Sequence, residues 1–350
     1  MEPNPKEACN GGKEAGKDKL NGAPQMKSGG TGHNELIWST SPNISRENLE
    51  ASNPKLVLSH KFAEDEVTYS ERDVAIYALG VGACGADAVD TKELHYVYHR
   101  DGQPFIKVLP TFVCLYPFKK SNGLGLVDVP GLHYDTKLLL RYIEVYRSIP
   151  SSGTVVNKAS IAGLHDKGKA AIVELETTSY LKETGEILCM NRSTVFLRGA
   201  GGFSDSSKPY SYTAYPANQI FRFSIPKSEP TVVYEDRTQN SQALLYRLSG
   251  DYNPLHSDPS IAQIAGFTRP IQHGLCTLGF AARAVVKSFC NGDPTAVKNI
   301  FGRFLLHVYP GETLVTEMWL QAPRIFIGNS IWDSCLRGAF PFLVTFCSQI

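Results

Sequence analysis

The chain has 350 residues, with 35 Lys or Arg against 34 Asp or Glu, and a formal net charge of +1. This balance argues against a nucleic-acid binder that relies on a basic face and against an acidic solvating tail. Hydrophobic residues make up 42% of the chain, which is typical of a folded protein, and the length favours about two domains.

Residues 1–55 are polar and rich in Gly, Lys, Asn and Ser, and we expect them to form a disordered leader. No apolar run in the chain reaches the roughly 18–20 residues that a membrane-spanning helix needs, so no membrane partner is expected. The eight cysteines form no Cys-x-x-Cys pair, which is typical of reduced thiols in an intracellular protein.

The first half of the chain contains one predicted helix and a predicted antiparallel meander. The helix covers 68–79, because apolar residues recur at helical spacing and Gly80 can end it. Three β-rich runs follow, at 155–164, 170–181 and 187–198. Short turns at Asp166-Lys-Gly168 and at 182–185 join these runs, as in consecutive hairpins.

The second half has the same kinds of element after a Ser/Pro-rich linker that ends near 219. Its predicted elements are a helical segment at 241–249, a short helix after Asp258-Pro259, a helix at 274–289, and strands at 304–308 and 313–320. Residues 75–82 align with 244–251 in one register, which places Tyr77 on Tyr246. This alignment hints at one domain duplicated in tandem.

The segment 246–262 carries the candidate chemistry. Asp251 and His256 bracket Asn253 and the rigid Pro254, so a carboxyl and an imidazole can face one small volume. Such a pair suits general acid–base work on a water molecule. The same residues could instead form only a turn that caps the next helix, and the residue pattern alone leaves both interpretations open.

The run Tyr-x-Leu-Ser-Gly-Asp-x-Asn-Pro-Leu-His, followed five residues later by Ala262, is the hydratase 2 motif. On this motif the chain resembles the (R)-specific type 2 enoyl-CoA hydratases, which include the hydratase part of peroxisomal multifunctional enzyme type 2. The resemblance extends from about Leu56 to Leu320 and includes Tyr77-Ala-Leu-Gly-Val-Gly, Leu109-Pro-Thr-Phe112, Asp166-Lys-Gly168 and Pro270-Ile-Gln-His-Gly-Leu-Cys276.

The resemblance implies an α+β double hot-dog fold, in which each of two tandem repeats wraps an antiparallel sheet on a long helix. The first repeat would cover 56–215 and house the acyl tail. The second would cover 220–324 and carry the motif, followed by an atypical tail at 325–350. Gly82 stands where the second repeat has Asp251, so one active repeat per chain is expected.

The reaction that the resemblance implies is syn addition of water to a trans-2-enoyl-CoA, giving (3R)-3-hydroxyacyl-CoA in fatty-acid β-oxidation, with no metal or organic cofactor. His256 would polarise the water, Asp251 would exchange the proton at the α-carbon, and Asn253 would hold the water. An exchange of the two roles, or both residues holding the water, stays open. The family uses the N–H of Gly274 for the thioester oxygen, although an ordinary helix start is the alternative for this glycine.

The resemblance also implies further substrate contacts at positions that match those of the family. Lys167 matches a residue that touches the CoA portion, or is a solvated hairpin lysine. Phe304 matches a ligand contact, or is an ordinary core aromatic. Tyr252, Pro254 and Leu255 belong to the loop of the acid–base pair, and His273 either assists Gly274 or only shapes its turn. The family also implies a homodimer.

Two departures from the family pattern matter. The family carries a substrate-binding His-Gly-Gln turn after Leu138-Leu-Leu140, whereas here only Arg141 precedes Tyr142, so we expect part of the CoA site to be missing or remodelled. Beyond about Arg324 the expected last strands are replaced by unrelated sequence, which predicts an open sheet edge. Ser348-Gln-Ile350 is not a peroxisomal tripeptide, so the peroxisomal location that the family implies competes with a cytosolic one.

Three functions therefore compete. The first is an enoyl-CoA hydratase. The second is a catalytically weak or silent acyl-CoA-binding or dimerising protein of the same fold. The third is a related dehydratase that acts on another acyl thioester.

Overall fold

The computed structural model describes residues 52–118, 129, 132, 135–205, 207–216, 225–321, 324–332 and 342–348. The predicted leader lies outside these residues except for 52–55, where helix α1 (Pro54–Ser59) begins. The side chain of Asn53 caps this helix by accepting hydrogen bonds from the N–H groups of Lys55 and Leu56. Among the described helices, none combines the length and the apolar character needed to cross a membrane.

Fifteen further elements complete the described part of the chain. They are β1 (Asp65–Tyr69), α2 (Glu71–Gly80), β2 (Asp135–Val145), β3 (Gly153–Asp166), β4 (Ala170–Leu181), β5 (Ile187–Arg198), β6 (Ser211–Thr213), β7 (Val232–Arg237), α3 (Gln242–Arg247), α4 (Pro259–Ile264), α5 (Gly274–Phe289), β8 (Val297–Phe304), β9 (Thr313–Gln321), β10 (Arg324–Trp332) and β11 (Phe342–Ser348). Short 3-10 helices lie between them, notably Pro110–Phe118 and Pro254–His256.

The described strands form one sheet with the order β1-β3-β4-β5-β2-β8-β11-β10-β9-β7, and β6 pairs with β3. The first five strands in this order belong to the first half of the chain. The last five, taken from the other edge as β7-β9-β10-β11-β8, repeat the same connectivity in the second half. The two halves join where β2 pairs antiparallel with β8, from Leu140 opposite Arg303 to Glu144 opposite Asn299. This topology confirms the predicted duplication and the α+β double hot-dog fold.

Helix α5 forms the centre of the core and contacts both halves of the chain. A Cβ added at Gly279 would collide with Val81 and approach Tyr77, so the helix needs glycine to lie this close to the first repeat. Tyr77 and Tyr246 meet with ring centroids 6.0 Å apart, and both rings are buried. The duplicated residues that the sequence aligned therefore pack against each other.

Local capping and pairing explain how the elements compare with their predicted bounds. The bounds of β4, β5 and α5 are confirmed. The first predicted helix starts later than expected, because Thr68 lies in β1 and a capping box between Ser70 and Asp73 begins α2 at Glu71. The predicted strand at 304–308 is wrong, since Phe304 ends β8 after it has paired with β2 and β11.

The tail after Arg324 supplies the last two strands, so the predicted open sheet edge is wrong. β10 pairs with β9 from Arg324 opposite Gln321 to Trp332 opposite Thr313, and β11 pairs with both β10 and β8. Strand pairing needs an extended backbone and good β-formers rather than a particular sequence, and this tail is rich in Ile and Phe. Residues 324–332 and 342–348 thus belong to the sheet of the second repeat, while the other predicted domain boundaries stay predictions.

Candidate active site

The loop between α3 and α4 is held by hydrogen bonds from side chains to the backbone. Asn253 Oδ1 accepts from the N–H of Leu255 at 3.0 Å and begins the 3-10 turn Pro254–His256. Asp258 Oδ1 accepts from the N–H of Ser260 at 2.7 Å and caps α4. The turn and the cap suggested as an alternative function of this segment are therefore both present, and they fix the backbone on which Asp251 and His256 stand.

His256 is buried, and its Nδ1 donates to the carbonyl of Ile271 at 2.8 Å. A carbonyl can only accept, so the proton of the neutral ring sits on Nδ1 and Nε2 is left as an acceptor. Burial lowers the pKa of His256, although the nearby charge of Asp251 acts in the opposite direction. The ring thus favours the neutral form, which is the form a general base needs.

The pKa of Asp251 shifts in the opposite direction. Burial raises the pKa of its carboxyl group, and the positive charges of His256, Arg141 and Arg247 offset that rise only in part. The structure brings Asp251 and His256 close enough for each to influence the titration of the other. A carboxyl with a raised pKa beside an imidazole with a lowered pKa is the pattern of an acid–base pair.

The N-terminus of α5 adjoins this pair. Gly274 is its first residue, and a Cβ added there would lie 2.8 Å from Cδ1 of Phe304, so any side chain would displace that ring. The N–H groups of a first helical turn have no partner within the helix and lie at the positive end of its dipole. Nε2 of His273 donates to the carbonyl of Asp251 at 3.2 Å and ties the helix start to the loop.

The equivalent place in the first repeat cannot hold a matching acid. Gly82, which aligns with Asp251, has a φ of +83°, and a Cβ there would collide with the ring of Phe280. This ring fills the space that a carboxylate would need. The expectation of one active repeat per chain fits this packing.

Lys167 lies away from the pair, in the exposed turn between β3 and β4. Asp166 beside it accepts hydrogen bonds from the N–H groups of Gly168, Gly202 and Ser204 and from the Ser204 hydroxyl. These four bonds outweigh the effect of burial and lower the pKa of Asp166 to about 2. The carboxylate therefore fixes the turn that presents Lys167 to solvent.

The other predicted substrate-binding residues of this loop differ in their exposure to solvent. Tyr252 is 49% exposed, and the guanidinium of Arg247 lies 5.2 Å from its ring centroid. It lines a surface cleft of about 420 Å³ together with Gly250 and residues of β1. Pro254 and Leu255 are half-buried. Tyr252 thus faces the outside of the loop, away from the buried pair.

Arg141 stands where the His-Gly-Gln turn of the family is missing, and the sequence alone assigns it no role. Its side chain is fully buried, and in the described part of the chain none of its three guanidinium nitrogens has a hydrogen-bond partner. The signal in the sequence is the alternation of Arg141 with Ile143 and Val145, both of which face the core. Within the same described residues, no group of three or more His, Cys, Asp or Glu side chains could hold a metal ion.

Comparison with known families and proteins identifies the family of the chain. Residues 67–199 match the family described as MFE-2 hydratase 2 N-terminal domain, and residues 222–329 match the MaoC like domain. The chain is 63% identical over 283 residues to Enoyl-CoA hydratase 2, peroxisomal, of Arabidopsis thaliana, covering 80% of this chain and 91% of that protein.

Two solved structures agree with the fold. A MaoC-like dehydratase from Phytophthora capsici has a TM-score of 0.71 at 31% identity, covering 85% of this chain and 98% of its own. A Mycobacterium tuberculosis protein with a double hot-dog fold has a TM-score of 0.50 at 14% identity, covering 83% and 96%, and this likeness concerns the fold alone. The chain belongs to the enoyl-CoA hydratase 2 family, a family of lyases built from MaoC-like domains.

Proposed function

We propose that this enzyme adds water to trans-2-enoyl-CoA and forms (3R)-3-hydroxyacyl-CoA, with Asp251 and His256 as its acid–base pair. The observation that carries the proposal is the pairing of a half-buried Asp251 with a buried His256 beside the N-terminus of α5, with pKa values shifted in opposite directions. The 63% identity to a protein named Enoyl-CoA hydratase 2 supports the substrate class.

The proposed reaction uses each group once. Nε2 of His256 accepts a proton from water while the hydroxyl adds to the β-carbon. The carboxyl group of Asp251 gives its proton to the α-carbon, and the proton on His256 then passes to the carboxylate and resets the pair. Asn253 Oδ1 is engaged by the backbone of Leu255, so its amide NH₂ is the part that we assign to the water. The reverse assignment of the pair would place an ionised Asp251 and a protonated His256 in a site whose burial disfavours both charges.

The thioester oxygen gains negative charge as water adds, and we assign the N–H of Gly274 to it. Donors that are already oriented stabilise such charge without having to reorganise. Phe304 packs over this glycine and would exclude water from the oxygen. We therefore assign activation of the thioester to the start of α5.

The CoA portion is assigned to the surface near Lys167, because its phosphates favour water and a cationic side chain. The turn that carries Lys167 is held rigid by Asp166. We also propose a homodimer, to be tested by light scattering. A peroxisomal location is proposed on the strength of the peroxisomal Arabidopsis relative, to be tested by imaging the tagged full chain.

The decisive experiment mixes purified protein with trans-2-decenoyl-CoA, follows the loss of enoyl ultraviolet absorbance, and determines the configuration of the product. We expect turnover to the R product, and a loss of at least ~10²-fold in Asp251→Asn and in His256→Ala. His99→Ala, which removes a half-buried imidazole outside the acid–base loop, serves as a control and should keep the wild-type rate. Binding without turnover would instead support the silent acyl-CoA-binding alternative, and an S product would contradict the stereochemical assignment.

A further inference from the structure

Arg141 stands where the two repeats join. It lies on β2 opposite Gly302 of β8 on one side and opposite Ser193 of β5 on the other. Ile143, two residues along, faces the core with its partner Ile300, so Arg141 and Gly302 face the core as well. The guanidinium therefore projects to the side of the sheet on which α5 and the acid–base pair lie.

The charge of Arg141 has no partner of its own in the described part of the chain. Its side chain is 0% exposed, its three nitrogens lack hydrogen-bond partners, and the ring centroid of Phe118 lies 6.0 Å from its Cζ. Arginine keeps its charge at any working pH, and a buried charge without a partner is strongly unfavourable. Such a residue indicates a ligand group that completes its bonds.

The other buried arginines in the described part of the chain have carboxylate partners. Arg283 pairs with Glu93 and Asp236, and Arg192 pairs with Glu176. Since this fold supplies carboxylates to its structural arginines, the unpaired state of Arg141 is specific to its position. The position adjoins the reaction centre rather than the outer face of the sheet.

The strand pairing of Arg141 places it near the start of α5. Its partner on β8, Gly302, has no side chain. Phe304 lies two residues further along the same face of β8, a diagonal distance of about 7–8 Å between strands, and packs on Gly274. The charge of Arg141 also reaches Asp251. Arg141 is therefore near the acid of the pair and near the ring that packs on Gly274.

The chemistry of the missing partner follows from burial. The phosphates of CoA would have to leave water to reach a side chain with no exposed surface. The acyl thioester is the part of the substrate that enters the protein, and its carbonyl oxygen becomes negative as water adds. A hydrogen bond between a guanidinium and such an oxygen strengthens as the charge develops.

Resting on the proposed hydration, we propose that the guanidinium of Arg141 binds the thioester oxygen of the enoyl-CoA together with the N–H of Gly274, and is a catalytic residue of the reaction. The oxygen then has one neutral backbone donor and one charged donor. The charged donor comes from the first repeat and the neutral one from the second. Both repeats would thus contribute to a single oxyanion site.

The test compares Arg141→Met, Arg141→Lys and the wild type over a full pH profile. We expect kcat to fall by about 10²–10³-fold in Arg141→Met with KM little changed, as for the loss of one oxyanion donor. Arg141→Lys should recover part of the loss, because it keeps the charge. Thermal stability of Arg141→Met should equal or exceed that of the wild type, since an unpaired buried charge is removed. A structural arginine would give the opposite stability result.

Arg192→Met is the matched control. It removes a buried guanidinium from the other face of the same sheet, so activity should be kept while the melting temperature falls. An unchanged kcat in Arg141→Met would overturn the proposal. So would a loss that disappears at a shifted pH, because Arg141 would then act only through the titration of Asp251.

A binding measurement separates this proposal from the proposed function. A 3-ketoacyl-CoA ionises to an enolate whose oxygen is negative, and the enolate has its own ultraviolet band. Wild-type protein should favour the enolate at a lower pH than free solution does, and Arg141→Met should lose this effect. If the wild type binds the enolate in this way but does not hydrate enoyl-CoA, the hydration proposal fails and the oxyanion assignment stands. If neither protein favours the enolate, the oxyanion assignment fails.

Discussion

The imidazole rings of His256 and His273 stack with their centroids 3.8 Å apart and an angle of 30° between their planes. Two rings this close disfavour protonation of each other, and burial lowers the pKa of His273 well below its usual value, with the charge of His256 acting in the same direction. His273 also donates from Nε2 to the carbonyl of Asp251. One neutral histidine thus contacts both members of the proposed acid–base pair without being one of them.

We therefore expect His273 to position the pair. His273→Phe keeps a ring to stack on His256 but loses the bond to Asp251, whose net worth is about 1 kcal/mol, so kcat should fall roughly fivefold to tenfold with KM unchanged. His273→Gln keeps an N–H donor and should lose less. Steady-state kinetics on trans-2-decenoyl-CoA measures both variants, and equal losses in the two would contradict a role for this hydrogen bond.

The pH dependence of the reaction should follow the charges around His256. The carboxylate of Asp251 raises the pKa of His256 and the charge of Arg247 lowers it. If the neutral imidazole is the base, activity is lost as pH falls through this pKa. The acid limb of kcat/KM should therefore move to higher pH in Arg247→Gln, whereas Asp251→Asn should leave it in place, because the proposed active form already holds a neutral Asp251.

This contrast can be read from the residual activity of Asp251→Asn and the larger activity of Arg247→Gln across a pH series. The reverse assignment, in which protonated His256 is the acid, would place the same titration on the alkaline limb. Movement of that limb instead of the acid limb would therefore exchange the two roles.

Several elements of this fold could be predicted from local sequence because their signals are local. The helix Gly274–Phe289 has its apolar stripe and its terminal glycine within one segment, and Ala170–Leu181 and Ile187–Arg198 are bounded by turn residues. The loop from Asp251 to His256 was also identified from spacing. In each case the residues that decide the structure lie within a few positions of one another.

The features that were missed depend on long-range pairing. Strands β10 and β11 form because they pair with β9 and β8, respectively. The sequence of 324–348 by itself does not predict which strands those partners are. The burial of Arg141 appears only when β2 and β8 are placed side by side. Likewise, the need for glycine at 274 follows from Phe304, thirty positions later in the chain.

The exposed turn of β3 and β4 offers a matched test of CoA recognition. Lys167 and Lys169 are both exposed lysines of the same turn, but only Lys167 is proposed to contact the CoA portion. Removal of a single exposed phosphate contact should raise KM about twofold to fivefold and leave kcat unchanged, because such charge pairs contribute up to about 1 kcal/mol in water. Lys167→Ala should show this change and Lys169→Ala should not. Equal KM values in the two variants would assign Lys167 to the solvated surface.

Arg283 connects the repeats through buried charge. Its guanidinium, 2% exposed on α5, pairs with Glu93 of the first repeat and with Asp236 on β7, and its Nε donates to the carbonyl of Val81 at 3.0 Å. Burial raises the pKa of Asp236, while the charge of Arg283 opposes that rise. Removing the arginine leaves two acids in the interior without their main counter-charge.

Arg283→Met should therefore lower the free energy of unfolding by about 3–5 kcal/mol, the usual effect of breaking a buried pair from one side. The exposed pair of Lys182 and Glu66, with nitrogen and oxygen 2.6 Å apart, is the control, and Lys182→Met should cost no more than about 1 kcal/mol. Urea unfolding followed by circular dichroism measures both. Because the deficit comes from carboxylates left charged, it should shrink as the pH is lowered and they take up protons. A pH-independent deficit would mean that Arg283 stabilises the junction by packing alone.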